Sequence, residues 1–159
     1  MAQTAFSQDI LIAAPPQKVR SFFARMENLP LIHPLILNVQ YVKTTCTEDQ
    51  VPVQHYRVRD RMRLGPLLLT FTYRVQMLEN AEGDLVFETF QSPRIYLFNT
   101  TRFLPHPSGT RVTEQVDIDA PRLLLQVVRD QGKQAHWQML ANMKRVLETG
   151  NGTEQKSAE

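Results

Sequence analysis

Leu69, Phe71, Tyr73, Val75 and Met77 alternate with Thr70, Thr72, Arg74 and Gln76. Successive side chains of a β-strand point to opposite faces, so this run predicts a strand with one apolar and one polar face. The same two-residue period dominates residues 36–118, whereas only residues 120–147 hold a long helical period. One-sided strands predict an antiparallel sheet with one wet face. Its dry face needs a cover, and the amphipathic helix is the only large candidate.

Turn residues divide the alternation. The first strand is expected over residues 6–13, with Phe6, Gln8, Ile10 and Ile12 on one face, and Ala14-Pro15-Pro16 ends it. Proline is tolerated in the first turn of a helix, and Val19, Phe22, Phe23 and Met26 then recur at helical spacing over residues 16–26. Pro30 and Pro34 confine residues 31–35 to a second short helix or turn. Strands follow over 36–45, 53–64, 67–78, 85–91, 95–104 and 110–118, with Leu37, Val39 and Tyr41 sharing a face of the second. Ala120-Pro121 opens the long helix, with Asp119 as its expected N-cap. Leu125, Val128, Gly132, Ala135, His136, Met139, Met143, Val146 and Leu147 trace its apolar stripe. The domain is expected over residues 1–148, and the polar residues 149–159 as a disordered tail.

The length of 159 residues suits one domain, and 42% hydrophobic with 21% charged residues is a globular composition. A formal net charge of +2 argues against nucleic-acid binding. The single cysteine, Cys46, forms no intramolecular disulfide, and no Cys/His spacing suggests a metal site. No phosphate-binding glycine loop, dinucleotide fingerprint or serine-hydrolase elbow is present, so neither cofactor nor metal is expected. The first residues lack the basic-then-apolar plan of a signal peptide, and a cytoplasmic location is expected. Asn99-Thr100-Thr101 and Asn151-Gly152-Thr153 are glycosylation sequons that would matter only in a secreted protein.

The order strand, two short helices, six strands, long helix resembles the helix-grip fold of the START-like (SRPBCC) superfamily. Ile10-Leu11-Ile12-Ala13-Ala14-Pro15-Pro16-Gln17-Lys18-Val19 is similar to that family's opening strand and first helix. Asn28-Leu29-Pro30 with His33-Pro34-Leu35-Ile36 resembles its second helix, and Asp119-Ala120-Pro121 its closing helix. The superfamily includes Bet v 1-like allergens, START lipid-transfer domains, polyketide cyclases and coenzyme Q-binding proteins. The resemblance implies a curved seven-stranded antiparallel sheet around the C-terminal helix. It also implies a cavity between them for a lipid, sterol, isoprenoid or polyketide-like molecule. Fold alone does not supply a reaction.

Polar groups at inward positions are the candidates for chemistry. Asp60 falls among Tyr56, Val58, Met62 and Leu64, Glu114 among Val112, Val116 and Ile118, and His136 on the helix stripe. A buried carboxylate is costly unless paired or protonated, and such groups serve as proton donors and acceptors in dry pockets. The plainer readings are an arginine partner or an outward bulge for Asp60, and a satisfied core position for Glu114 and His136. The expected ligand wall is Tyr41, Tyr56, Val58, Asp60, Phe71, Tyr73, Phe87 and Glu114 from the sheet. From the helix it takes Gly132, His136, Met139 and Met143. Trp137 and His33 are weaker candidates, for a wall and for the cavity mouth.

Three functions are expected in this order: a carrier of a small hydrophobic molecule, an aromatase/cyclase or dehydratase acting by acid–base catalysis, and a protein-interaction module. Arg57, Arg59, Arg61 and Arg63 alternate along one strand. They form either a solvated face or a basic stripe for transient contact with an anionic membrane or an acidic partner. Nothing in the pattern specifies an oligomeric state.

Overall fold

A computed structural model describes residues 1–150; the expected tail falls almost wholly outside them. Strand β1 (Ala2–Ile12) leads into helix α1 (Pro16–Ala24), a 3₁₀ turn (Met26–Asn28) and helix α2 (Leu29–Ile32). Strands β2 (Ile36–Cys46), β3 (Pro52–Leu64), β4 (Leu67–Glu79), β5 (Leu85–Gln91), β6 (Ile95–His106) and β7 (Gly109–Ala120) follow, and helix α3 (Arg122–Glu148) closes the fold. The sheet is antiparallel throughout, in the order β1-β7-β6-β5-β4-β3-β2. It curves around the 27-residue α3, as the helix-grip resemblance implies. No described helix is long and apolar enough to cross a membrane.

Three local expectations need correction. The register of β2 against β3 shifts between Ile36 and Asn38, so Ile36 is buried and Leu37 is exposed. A bulge inserts one residue and turns the side chains that follow. Asp119 does not cap α3: it lies within β7, opposite Gln3 and Tyr96, and the N-cap is Pro121 with no side-chain bond. The second short helix ends at Ile32, because His33 precedes Pro34 and leaves the helical region with ψ 121°.

Two apolar clusters hold the layers together. The larger packs α1, α2 and the C-terminal half of α3 (Met139, Leu140, Met143, Leu147) onto Ile12, Val58, Val75 and Val112 of the sheet. The smaller packs Val128 of α3 against Phe6, Val116 and Ile118. Leu140, fully buried, was absent from the expected stripe. Each fully buried aliphatic side chain stabilises by about 1.5–3 kcal/mol.

The β6–β7 turn is pressed against the end of β1. Thr110 Oγ1 donates to the Ala14 carbonyl at 2.7 Å. Gly109 has φ +133°, and a Cβ there would stand 2.2 Å from the Ile12 carbonyl oxygen. Gly65, at φ +59° in the β3–β4 turn, has nothing within 4 Å of such a Cβ. Chemical denaturation should therefore show Gly109→Ala to cost about 2–3 kcal/mol or more and Gly65→Ala only about 1 kcal/mol. Equal losses would contradict this packing.

Candidate functional site

The inner face of the sheet carries a row of polar side chains that burial alone would disfavour: Asp60 on β3, Gln91 on β5, Asn99 and Thr101 on β6, and Glu114 on β7. Strand parity puts them there: Asp60 shares its face with Val58, Gln91 with Phe87, Asn99 and Thr101 with Ile95, and Glu114 with Val112 and Val116, all buried.

Glu114 is fully buried and fully bonded. Its Oε1 accepts from Asn99 Nδ2 at 2.6 Å and meets His136 Nδ1 at 2.7 Å, and its Oε2 accepts from Gln8 Nε2 at 3.2 Å. Burial pushes the carboxyl up, but His136 and the amide donors outweigh it, so the pKa falls below the usual 4.5. Burial works against the charged form of His136 too, yet the Glu114 carboxylate raises its pKa above 6.5. The result is a buried ion pair joining α3 to β7. Next to it, His33 stacks edge-on at 5.5 Å and accepts the Leu35 N–H on Nδ1 at 3.2 Å. Burial and the neighbouring His136 charge lower the pKa of His33 to about 3, so it is neutral.

Asp60 is the opposite case. It lies across from Ile36 and Phe71, only 8% exposed, and the arginines on either side of it point outward. Desolvation lifts its carboxyl to about 6, partly offset by the nearby Tyr73 hydroxyl. Burial and that carboxyl in turn push the Tyr73 phenol well above 10. Among the described residues, Oδ1 of Asp60 has no hydrogen-bond partner, and neither has Nε2 of Gln91.

These groups face a cavity that lies between the two apolar clusters. About 130 Å³ of it is open to the centres of water molecules, roughly ten times what one water needs. Phe23, Met26, Val75, Phe87 and Met139 form its apolar walls, and Asp60, Tyr73, Gln91, Asn99, His33 and His136 supply polar groups. Of the residues expected at the wall, Val58, Asp60, Tyr73, Phe87, Gly132, His136 and Met139 line the cavity. Tyr41 is half-exposed on β2; Tyr56 is buried with its hydroxyl bonded to Gln54; Phe71 and Met143 lie outside the lining. Glu114 stands behind His136 rather than in the wall, and Trp137 is half-exposed away from it. Gln91 and Asn99 were not expected there, though the parity of Phe87 on β5 and Leu97 on β6 points to both.

On the outer face, Arg57, Arg59, Arg61 and Arg63 are all exposed, and Arg74 stands directly opposite Arg57. None of the five joins an ion pair among the described residues.

Two outcomes follow for stability. The Glu114 contribution is present above pH 4.5 and lost as pH falls through its lowered folded pKa. The His136 contribution is present below pH 6.5 and lost as pH rises through its raised folded pKa. Removing one partner, as in Glu114→Ala, should cost about 3–5 kcal/mol near pH 5.5, whereas Glu114→Leu with His136→Leu should cost far less. Asp60 acts with the other sign. Its folded pKa of about 6 lies above the ordinary 3.8, so stability falls as pH rises between them, by about 3 kcal/mol. Asp60→Asn should raise the melting temperature at pH 8 by roughly 5–10 °C and change it little at pH 4. A pH-independent effect would contradict the burial of an unpaired carboxyl.

Several solved structures share the fold. TTHA0849 from Thermus thermophilus is 16% identical, with a TM-score of 0.70 over 96% of this chain and 100% of its own. The Zhui aromatase/cyclase from Streptomyces sp. R1128 is 13% identical, with a TM-score of 0.69 over 96% and 100%. A START superfamily protein from Mycobacterium smegmatis is 14% identical, with a TM-score of 0.68 over 92% and 97%. The chain spans 50% of the di-domain aromatase/cyclase BexL, at 15% identity and a TM-score of 0.68 over 92% of this chain. No curated protein matches the sequence. Such identities speak for the fold alone. The sequence itself matches a family pattern over residues 3–148, and the chain thus belongs to the polyketide cyclase/dehydrase and lipid transport family.

Proposed function

We propose that this protein binds and carries a small, largely apolar molecule in the cavity between the sheet and α3. One observation carries the reading: a cavity bounded by Phe23, Met26, Phe87 and Met139 also receives the polar groups of Asp60, Gln91 and His136. Apolar burial supplies affinity and a few polar groups fix orientation, the usual division of labour in a ligand site. The described lipid-transport and cyclase roles of the family agree with it.

A second reading, an acid–base enzyme of the cyclase or dehydratase type, is favoured by one feature. The Asp60–Tyr73 pair on the sheet and the Glu114-backed His136 on the helix face the same space. A carboxyl with pKa near 6 is suited to accept or donate a proton at neutral pH. Separately, the arginine face opposite the cavity suits transient contact with an anionic membrane. Arg57→Glu with Arg59→Glu would weaken sedimentation with phosphatidylserine vesicles and leave the cavity untouched.

Ala135 is buried in the cavity wall. Ala135→Trp should abolish binding of an uncharged apolar fluorophore such as N-phenyl-1-naphthylamine while circular dichroism shows a folded protein. Retained binding by a folded variant would place the ligand elsewhere. In the enzyme reading, Asp60→Asn keeps binding and loses turnover.

A further inference from the structure

Most buried polar side chains of this protein are satisfied internally. Glu114 has three partners, Thr101 Oγ1 bonds Asn99 at 3.1 Å, Asp84 meets Arg102 at 3.0 Å, and Thr110 meets Ala14. Asp60 and Gln91, each 8% exposed, depart from this. Oδ1 of the first and Nε2 of the second are buried without a partner, and both residues line the cavity. The other buried atoms without a hydrogen bond belong to Arg20, which is paired with Glu79, and to Asp119 and Arg129, all part-exposed side chains outside the cavity. An unmade buried hydrogen bond costs about 1–3 kcal/mol. Two of them on residues that line one cavity therefore mark the bonds that a molecule filling it would complete.

The chemistry of the two atoms is complementary. A carboxylate oxygen accepts, so the ligand must donate there. An amide N–H donates, so the ligand must accept there. Sheet register separates the two positions. Val58 faces Tyr73, Arg74 faces Phe90, and Gln91 follows Phe90 at the end of β5. Asp60 and Gln91 thus sit on strands two apart, roughly 10 Å between backbones. Backbones this far apart favour two polar groups carried on an apolar frame over a single bridging hydroxyl. Charge narrows the class further. Among the described residues no lysine or arginine lines the cavity, and His136 is already neutralised by Glu114. An anion entering there meets Asp60 with no free cation to offset it.

Resting on the cavity reading above, we infer that the ligand is an uncharged amphiphile that donates a hydrogen bond to Asp60 and accepts one from Gln91 across a rigid apolar frame. Fatty acids and other carboxylates are excluded from the class.

Isothermal titration at pH 8 with five small probes tests it: naphthalene-2,7-diol, 2-naphthol, naphthalene, 2-naphthoate and (2-naphthylmethyl)ammonium. The diol should bind tightest, 2-naphthol up to about tenfold more weakly, and naphthalene more weakly again. Naphthoate should be the weakest. In Gln91→Leu the diol should lose its advantage over 2-naphthol while naphthalene binding is kept. If naphthalene binds the native protein as tightly as the diol, or if the anion or the cation binds tightest, the inference is wrong and the cavity reading stands. If none of the five binds, the cavity reading itself fails. The native protein alone decides these outcomes should Gln91→Leu not fold.

Discussion

The cover of the sheet depends on how α3 is held where it has nothing apolar to rest on. Its C-terminal half is seated by Leu140, Met143 and Leu147, and its N-terminal half by Val128. Between them the helix passes over the cavity, and polar ties replace packing. His136 reaches Glu114 on β7 at 2.7 Å and the Gln131 amide bonds the backbone of Arg63 on β3, while within the packed C-terminal half Asn142 donates to the Ile32 carbonyl at 2.8 Å. These bonds span the sheet from β7 to β3 and reach α2. A helix held this way can leave a gap beneath it without collapsing into it. The buried pair is costly to desolvate, and it holds because every oxygen of Glu114 has a donor.

Much of this was legible in the sequence, for a physical reason. A sheet with one wet face imposes a two-residue period, and a covering helix imposes a 3.6-residue one, so the two layers separate on pattern alone. The inward positions of Asp60, Glu114 and His136 came from the same parity. What parity does not contain is pairing across elements. Glu114 and His136 are 22 residues apart and meet only because α3 folds back over β7. Hence Glu114 reads as a cavity residue in the sequence, while in the structure it stands behind His136 and orients it. The bulge between Ile36 and Asn38 also leaves no mark in the pattern, which is why Leu37 reads as sharing the face of Val39 and Tyr41 and is turned away from it; Tyr41 does lie on the face of Tyr56, and it is half-exposed because β2 is an edge strand. Gln91 was missed for a simpler cause: it ends its strand beside Ser92-Pro93, where alternation is easily read as turn.

Relatives of this fold at 13–16% identity share its backbone and little of its sequence. A shared fold does not carry a shared function, which has to be argued from the polar groups of the individual site. Here those groups fall into two kinds. His136 is held rigid by Glu114, and Asp60 is left under-satisfied at a cost to stability that rises with pH. A site that keeps an unpaired carboxyl buried in the free protein gains the most when a ligand supplies the missing bond.

The most direct test of the central claim uses the methionine methyl groups as internal reporters. Met26, Met62 and Met139 line the cavity, whereas Met77 and Met143 are buried outside its lining. With ¹³C-methyl methionine, titration of naphthalene-2,7-diol should shift the first three resonances together, on one binding curve, and leave Met77 and Met143 nearly in place. Uniform small shifts, or shifts confined to the exposed Met1, would show that the space beneath α3 is not where this protein takes a ligand.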